Sequence, residues 1–269
     1  MKKRADLHVH TTASNGKIRP EKAVKIAEQE GVAAIAIVDH DTTTGIEPAI
    51  SATEYHDVEV IPGVEISYEK EDKEAHIMGY FIDKENSSLK HRLTEFQQAR
   101  RERMMEILEK LEDEGIDVPP QKVFHETGEA DVVGRSHIAR VMKKMDYVET
   151  IDEAFDKYLG YGKPAYTRKF QLELGEIMKL IKDADGVPAL AHPKFSNAED
   201  LLPLLIRQGL KAIETSHPTY DEEDVKHFEE IADKYHLIKV GGTDAHGTKP
   251  GIGEVTVPYK IVNKLKARR

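Results

Sequence analysis

The chain contains no cysteine, which excludes disulfides, thiolate zinc sites and cysteine nucleophiles. It also lacks any apolar run approaching membrane-spanning length, and its basic start, Met1-Lys2-Lys3-Arg4, leads into a short strand-like segment rather than an apolar secretory core. A cytoplasmic protein with no membrane partner is expected. A net positive charge is also missing: 49 acidic residues outnumber 39 Lys and Arg, for a formal net charge of -10. That argues against a broad electrostatic footprint for long duplex nucleic acid, although bound cations would reverse the sign locally. A glycine-rich phosphate loop, a dinucleotide fingerprint and internal repeats are likewise missing.

What the chain does have is histidine in pattern. Of its 13 histidines, seven stand in short polar motifs, most of them directly after a buried-strand pattern. In Ala5-Asp6-Leu7-His8-Val9-His10, alternation puts His8 and His10 on one face of an extended segment, where two imidazoles can grip one ion. The apolar run Val32 to Val38 leads into Asp39-His40-Asp41, and Val58 to Val64 leads into Glu65. His76 lies between Glu74 and Gly79, Val187 to Ala191 delivers His192, and Leu237 to Gly242 delivers Asp244 and His246. A lone histidine at a strand end is more often a hydrogen-bonded core residue than a ligand. Here three separate motifs would each need their own structural account, whereas clustered nitrogen and oxygen donors need one. The sequence therefore predicts a metal site, whose donor types admit Mn, Fe or Zn alike.

Strand patterns alternate with helical ones: strand 4–9, helix 20–30, strand 33–38, helix 44–55, strand 58–65 and strand 74–82. Residues 88–160 then read as helices throughout, beginning with a long charged one from about Leu89 to Glu114. Alternation returns with helix 172–184, strand 187–191, helix 198–208, strand 211–215, helix 221–235 and strand 237–242. About seven strands in parallel βα units, with ligands at strand C-terminal ends, fit an α/β barrel with a helical insertion better than an open doubly wound sheet. For 269 residues, one domain plus an insertion is expected rather than two equal domains.

These motifs resemble the PHP family, named for its polymerase and histidinol phosphatase members. The resemblance rests on Asp6-Leu7-His8-Val9-His10-Thr11-Thr12-Ala13-Ser14-Asn15-Gly16, Val38-Asp39-His40-Asp41-Thr42, Pro62-Gly63-Val64-Glu65-Ile66, Ala191-His192-Pro193 and Gly242-Thr243-Asp244-Ala245-His246-Gly247, in that order along nearly the whole chain. It implies a distorted (β/α)7 barrel formed by residues 1–87 and 163–269, with a helical insertion at 88–162 covering the active site, and two or three divalent metal ions. His76-Ile77-Met78-Gly79-Tyr80, Gly134-Arg135 and Lys163-Pro164-Ala165-Tyr166 are similar to a subgroup of bisphosphonucleotide phosphatases and 5′-to-3′ exonucleases acting on short RNA. The resemblance further implies a first metal on His8, His10, Glu65 and Asp244, with Glu65 bridging to a second on His76 and His192. A third would use His40, His246 and position 15, where the subgroup has Asp and this chain has Asn15. A neutral amide oxygen is a weaker ligand than a carboxylate, and Asn15-Gly16 is equally a turn pair.

Around that centre, Arg135 at a predicted helix start is the candidate phosphate clamp, because its planar fork suits bidentate contacts. His217 is a candidate for phosphate binding or for proton donation to a leaving group, with a packing role as its alternative. Asp39 joins these two among the candidate catalytic groups by orienting neighbouring ligands, as Asp41 does unless it caps the next helix. Lys163, Tyr166 and Lys194 are weaker candidates for substrate contact. The expected function is metal-dependent hydrolysis of terminal phosphate or nucleotide from small nucleotides, such as 3′,5′-bisphosphonucleotides, or from short oligonucleotides. The alternatives are a histidinol-phosphate-type phosphatase and a non-catalytic, metal-dependent nucleotide sensor.

Overall fold

A computed structural model describes residues 3–70, 73–128, 130–168, 172–195, 198–247 and 249–269. The first half runs β1 (Arg4–Val9), α1 (Pro20–Gln29), β2 (Ala34–Ile37), α2 (Ile46–Ala52), β3 (Glu59–Lys70) and β4 (Lys73–Tyr80). Helices follow: α3 (Ser87–Asp113), α4 (Pro120–Thr127), α5 (Arg135–Lys144) and α6 (Ile151–Ala154), the last continuing into a π-helical turn over Phe155–Leu159. The remainder is α7 (Leu174–Asp183), β5 (Val187–Ala191), α8 (Leu202–Arg207), β6 (Ala212–Ser216), α9 (Glu222–Lys234), β7 (Ile238–Gly241), β8 (Val257–Pro258) and α10 (Lys260–Lys266).

The strands form one sheet in the order β7-β6-β5-β4-β3-β2-β1-β8. It curls into a nearly closed barrel because β1 and the segment after β7 meet: His10 N–H donates to Ala245 O at 3.1 Å and Ala245 N–H to His8 O at 3.3 Å. Two residues make this closure possible. A Cβ on Gly242 would stand 2.6 Å from the His8 Cβ, so only glycine lets the two segments approach. Asp6, fully buried, accepts hydrogen bonds from Thr243 N (2.9 Å), Thr243 Oγ1 (2.6 Å) and Gly253 N (2.9 Å), replacing the solvation it loses.

The predicted all-parallel rhythm holds for β1–β2–β3 and for β5–β6–β7, but β4 runs antiparallel to both of its neighbours. The cause is local. Only residues 71–72 separate β3 from β4, and a parallel return needs a crossover of a dozen residues or more. β3 accordingly continues to Lys70, past its predicted end at Glu65. His76 therefore sits inside a reversed strand rather than at a strand's C-terminal end, and register brings it opposite Ala191, the last residue of β5.

Helix α3 links two cores. Its N-cap Asn86 accepts the Leu89 N–H at 2.9 Å, and Leu89, Leu93 and Phe96 pack with Ile177 and Ile181 of α7 against the barrel. One stripe further on, Met104, Ile107, Leu108 and Leu111 pack instead with Val123, Ile138, Val141 and Met142 in a separate apolar cluster among the helices. No helix among the described residues is long and apolar enough to cross a membrane.

Candidate metal centre

His8 on β1 and His10, the residue after its end, both turn into the barrel mouth, and their Nε2 atoms lie 3.1 Å apart. Glu65 Oε2 is 3.6 Å from His8 Nε2 and 3.2 Å from His10 Nε2, while Asp244 Oδ1 is 3.3 and 3.1 Å from the same two nitrogens. Four donors bonded at about 2.1 Å to a tetrahedral ion would stand about 3.4 Å from one another. The spacing is that of a ligand set.

The other oxygen of Glu65 faces a second set. Its Oε1 is 3.0 Å from His76 Nδ1 and 3.2 Å from His192 Nε2. His40 approaches from β2, with Nδ1 3.0 Å from Glu65 Oε2, and its ring stacks on that of His10 with centroids 4.5 Å apart. His246 also stacks on His10, with centroids 4.4 Å apart, and its Nδ1–H donates to Asp244 O at 2.8 Å, which leaves Nε2 free to ligate. The donors of His10, His40 and His246 lie within 4.8 Å of one another.

An ion fits this cluster. Glu65 Oε2 is buried beside three ring nitrogens at 3.0–3.6 Å and yet takes part in no hydrogen bond, as is true of His10 Nδ1, His40 Nδ1 and His192 Nδ1. Buried polar atoms are rarely left so unless something else satisfies them. The electrostatics agree. Burial disfavours the charge of Glu65, but the surrounding histidines His40, His76 and His8 outweigh it and hold the carboxyl well below its ordinary range. Asp244 behaves in the same way, with burial opposed by His8, His10 and His217. In turn, burial would lower His8 and His10, yet the neighbouring carboxylates overcome it, raising His8 and lifting His10 to about 9. His40 and His246 go down to about 3 and 4, chiefly through burial. Glu214, Asp244 and Glu65 thus draw positive charge onto His8, and Asp244 and Glu65 onto His10, a demand that divalent cations meet.

The backbone is bent to make this possible. Asp41, His192 and Asp244 adopt positive φ of 50°, 23° and 49°, a conformation that L-residues rarely take and that collects at functional sites. Glu214, which sequence reasoning passed over, lies fully buried in β6 and accepts from His8 Nδ1 at 3.2 Å and from the His192 backbone N–H at 2.7 Å. A carboxylate on the far edge of a ligating imidazole fixes its tautomer and orientation. Asp39 is buried and accepts from Thr11 N (2.7 Å), Thr11 Oγ1 (2.7 Å) and Ser14 Oγ (2.5 Å), so it fixes the loop after β1. Asn15 ends the turn in that loop, and its Oδ1 accepts from Ser14 Oγ at 3.3 Å.

A cavity of about 170 Å³ opens beside the cluster, lined by Asn15, His40 and His76 together with Arg100, Arg103 and Arg135. Arg135 starts α5, donates from Nη1 to Leu159 O at 3.1 Å, and lies over the rings of Phe155 and Tyr166 at 5.6 and 5.8 Å. Arg100, also unforeseen, donates from Nε to Asp41 Oδ2 at 2.7 Å. His217 lies beside Asp244: its Nδ1 pairs with Thr219 Oγ1 at 2.9 Å and its Nε2 is 3.5 Å from Asp244 Oδ2. Of the weaker candidates, Tyr166 packs on Arg135, Lys163 is exposed, and Lys194 is ion-paired with Asp224 of α9; neither lysine lines the cavity.

Two donor sets joined by one carboxylate, at the mouth of an α/β barrel and beside a cavity lined by three arginines, define a metal-dependent hydrolase of phosphoric esters. Comparison with known proteins agrees. The PHP domain pattern matches residues 6–174, and the chain belongs to that family. It is 36% identical over 194 residues to a 5′-3′ exoribonuclease of Haemophilus influenzae, covering 72% of this chain and 70% of that protein. To a 3′,5′-nucleoside bisphosphate phosphatase of Chromobacterium violaceum it is 28% identical, over 92% of this chain and 88% of the relative. A solved structure from Bifidobacterium adolescentis, assigned as a metal-dependent phosphoesterase, superposes with a TM-score of 0.90 at 27% identity, covering 98% of this chain and 96% of the other.

Proposed function

We propose that the chain removes a terminal phosphate or nucleotide from small nucleotides, such as 3′,5′-bisphosphonucleotides, or from short 5′-phosphorylated oligonucleotides. The observation that carries this reading is Glu65, with its two oxygens turned to two donor sets, beside a cavity of about 170 Å³ that His40 and His76 line together with Arg100, Arg103 and Arg135, room for a phosphate rather than a whole nucleotide. The names of two relatives point to the same substrate class. His8, His10, Glu65 and Asp244 hold one ion, Glu65, His76 and His192 a second, and His40 and His246 with Asn15 a third, weaker one. Bound divalent ions of the Mn, Fe or Zn type supply Lewis acidity and an activated water at neutral pH.

The chain's own groups do the rest. Arg135 engages the non-reacting oxygens of the phosphate, supported by the α5 N-terminus and by Arg100, which Asp41 keeps extended. His217, held through Nδ1 by Thr219, presents Nε2 toward the side of Asp244 and supplies a proton to the leaving oxygen. The helical segment 88–162 closes the site, since Arg100 and Arg135 both come from it.

The test is a release assay on protein with its metal content measured, comparing adenosine 3′,5′-bisphosphate, a 5′-phosphorylated tetranucleotide and histidinol phosphate. Turnover of the first two above the third is expected. Preference for histidinol phosphate would reverse the substrate assignment, and nucleotide binding without any product would make the protein a sensor.

A further inference from the structure

A second and larger cavity, of about 730 Å³, lies between the loop after β1 and helices α4 and α5. It adjoins the phosphate cavity, because His137 lines both and the neighbours Asn15 and Gly16 line one each. Its wall carries Lys17, Arg19, Arg140, Lys143 and Lys144 against the single carboxylate of Glu126 among the described residues. In a chain whose net charge is -10, such a local excess of cations is unexpected. Glu126 takes up two of them, at 2.9 Å from Arg140 Nε and 2.5 Å from Lys144 Nζ. Among the described residues, Lys17 and Lys143 have no ion-pair partner.

We propose that this cavity is a subsite for the backbone phosphates of a single-stranded oligonucleotide, downstream of the nucleotide being cleaved; it rests on the phosphoesterase reading above. Three features favour that occupant. The cavity shares His137 with the one assigned to the terminal phosphate, and the chain neighbours Gly16 and Asn15 line one each, so an oligonucleotide leaving one lies beside the other. Its size falls in the range that encloses a nucleotide-sized group. Among the described residues its lining offers cations and aliphatic surface from Ile151 but, apart from His137, no aromatic ring, so it contacts phosphates and does not stack bases. Binding there depends on length and salt and is indifferent to base.

The experiment measures fluorescence anisotropy and release with the purified metal-loaded protein. Probes are 5′-phosphorylated oligoadenylates and oligouridylates of one to five nucleotides, phosphorothioate-linked for binding and natural for cleavage. Affinity of the wild type should rise by about tenfold from one to four nucleotides for either base, with a salt slope steeper by about 1 to 2 for the longer probes. Lys17→Ala/Lys143→Ala should abolish that rise and leave turnover of adenosine 3′,5′-bisphosphate unchanged. A wild-type affinity independent of length, or a double variant that keeps the full rise, overturns the subsite. Length-dependent binding that Lys17→Ala/Lys143→Ala abolishes, with no product from any substrate, would retain the subsite and refute the hydrolase reading instead.

Discussion

Glu214, in the middle of β6, accepts the Nδ1–H of His8 at 3.2 Å and thereby turns the opposite nitrogen, Nε2, onto Glu65 and Asp244. The same carboxylate takes the His192 N–H at 2.7 Å, so a residue that touches no ion fixes one ligand of each of the two proposed sites joined by Glu65. Partners of this kind are worth 10–100-fold in metal affinity. Glu214→Ala should lower affinity by about that factor, while Glu214→Gln, which keeps an acceptor and the shape, should fall between. Competition titration with a metal-chelating dye, alongside circular dichroism to confirm folding, decides it. Wild-type affinity in Glu214→Ala would show that His8 orients without help.

The Arg135 guanidinium is pinned by Leu159 O and by the faces of Phe155 and Tyr166, which presets its fork at the cavity edge. Removing a charged hydrogen-bonding group from a phosphate costs about 1.5–3 kcal/mol, or roughly 10–100-fold in binding. Arg135→Ala should raise KM for a nucleotide substrate by that factor with bound metal unchanged. Arg135→Lys should recover little, since a point charge cannot make two parallel contacts. Saturation curves for both variants that overlay the wild type would remove Arg135 from the site.

Much of this centre is legible in the sequence because its parts obey local rules. His8 and His10 follow from strand alternation, and Glu65, His192, Asp244 and His246 from their position after apolar runs that only a buried strand explains. The barrel follows from the β-α rhythm on either side of the helices. Orientation was harder: the hydrophobic pattern of β4 is the same read in either direction, so nothing in it reveals that His76 arrives on a reversed strand. Glu214 escapes because a lone acid in Ala-Ile-Glu-Thr-Ser looks like the outward face of a half-buried strand. Arg100 escapes because it is one charge among many on α3; its partner Asp41 is 59 positions away.

His137 provides a pH signature distinct from the ligands. Burial first, then the positive field of Arg140, outweighs the opposing pull of Glu126 and, with a smaller contribution from Arg100, lowers it from 6.5 to about 4. It is neutral in the fold, where Nδ1 accepts the Gly134 N–H at 3.1 Å and caps α5. Because the unfolded chain binds the proton more readily, this contribution is complete above pH 6.5 and is lost as pH falls toward about 4. The whole effect is on the order of 3 kcal/mol. Urea unfolding between pH 4 and 7 should show a shallower loss of stability for His137→Gln than for the wild type. Parallel curves would mean that another group carries the acid sensitivity.

Asn15 is the point at which this chain departs from the donor pattern its subgroup resemblance implies, and it isolates the effect of ligand charge. The residue lines the cavity beside His40, near the ring cluster of His10, His40 and His246, but contributes a neutral oxygen already in contact with Ser14 Oγ. Asn15→Asp keeps the shape and adds a negative charge, so the attraction to a dication increases without a change of geometry. Occupancy of the weakest site should rise, and activity at limiting metal with it. The loop tolerates the change, since Asp suits a turn as well as Asn does. Isothermal titration of both proteins with Mn and with Zn, supported by metal analysis after dialysis, gives the stoichiometry. A gain of one tightly held ion per chain in Asn15→Asp is the expected result; identical stoichiometry and affinity would reduce Asn15 to a turn residue and the centre to the two sites that share Glu65.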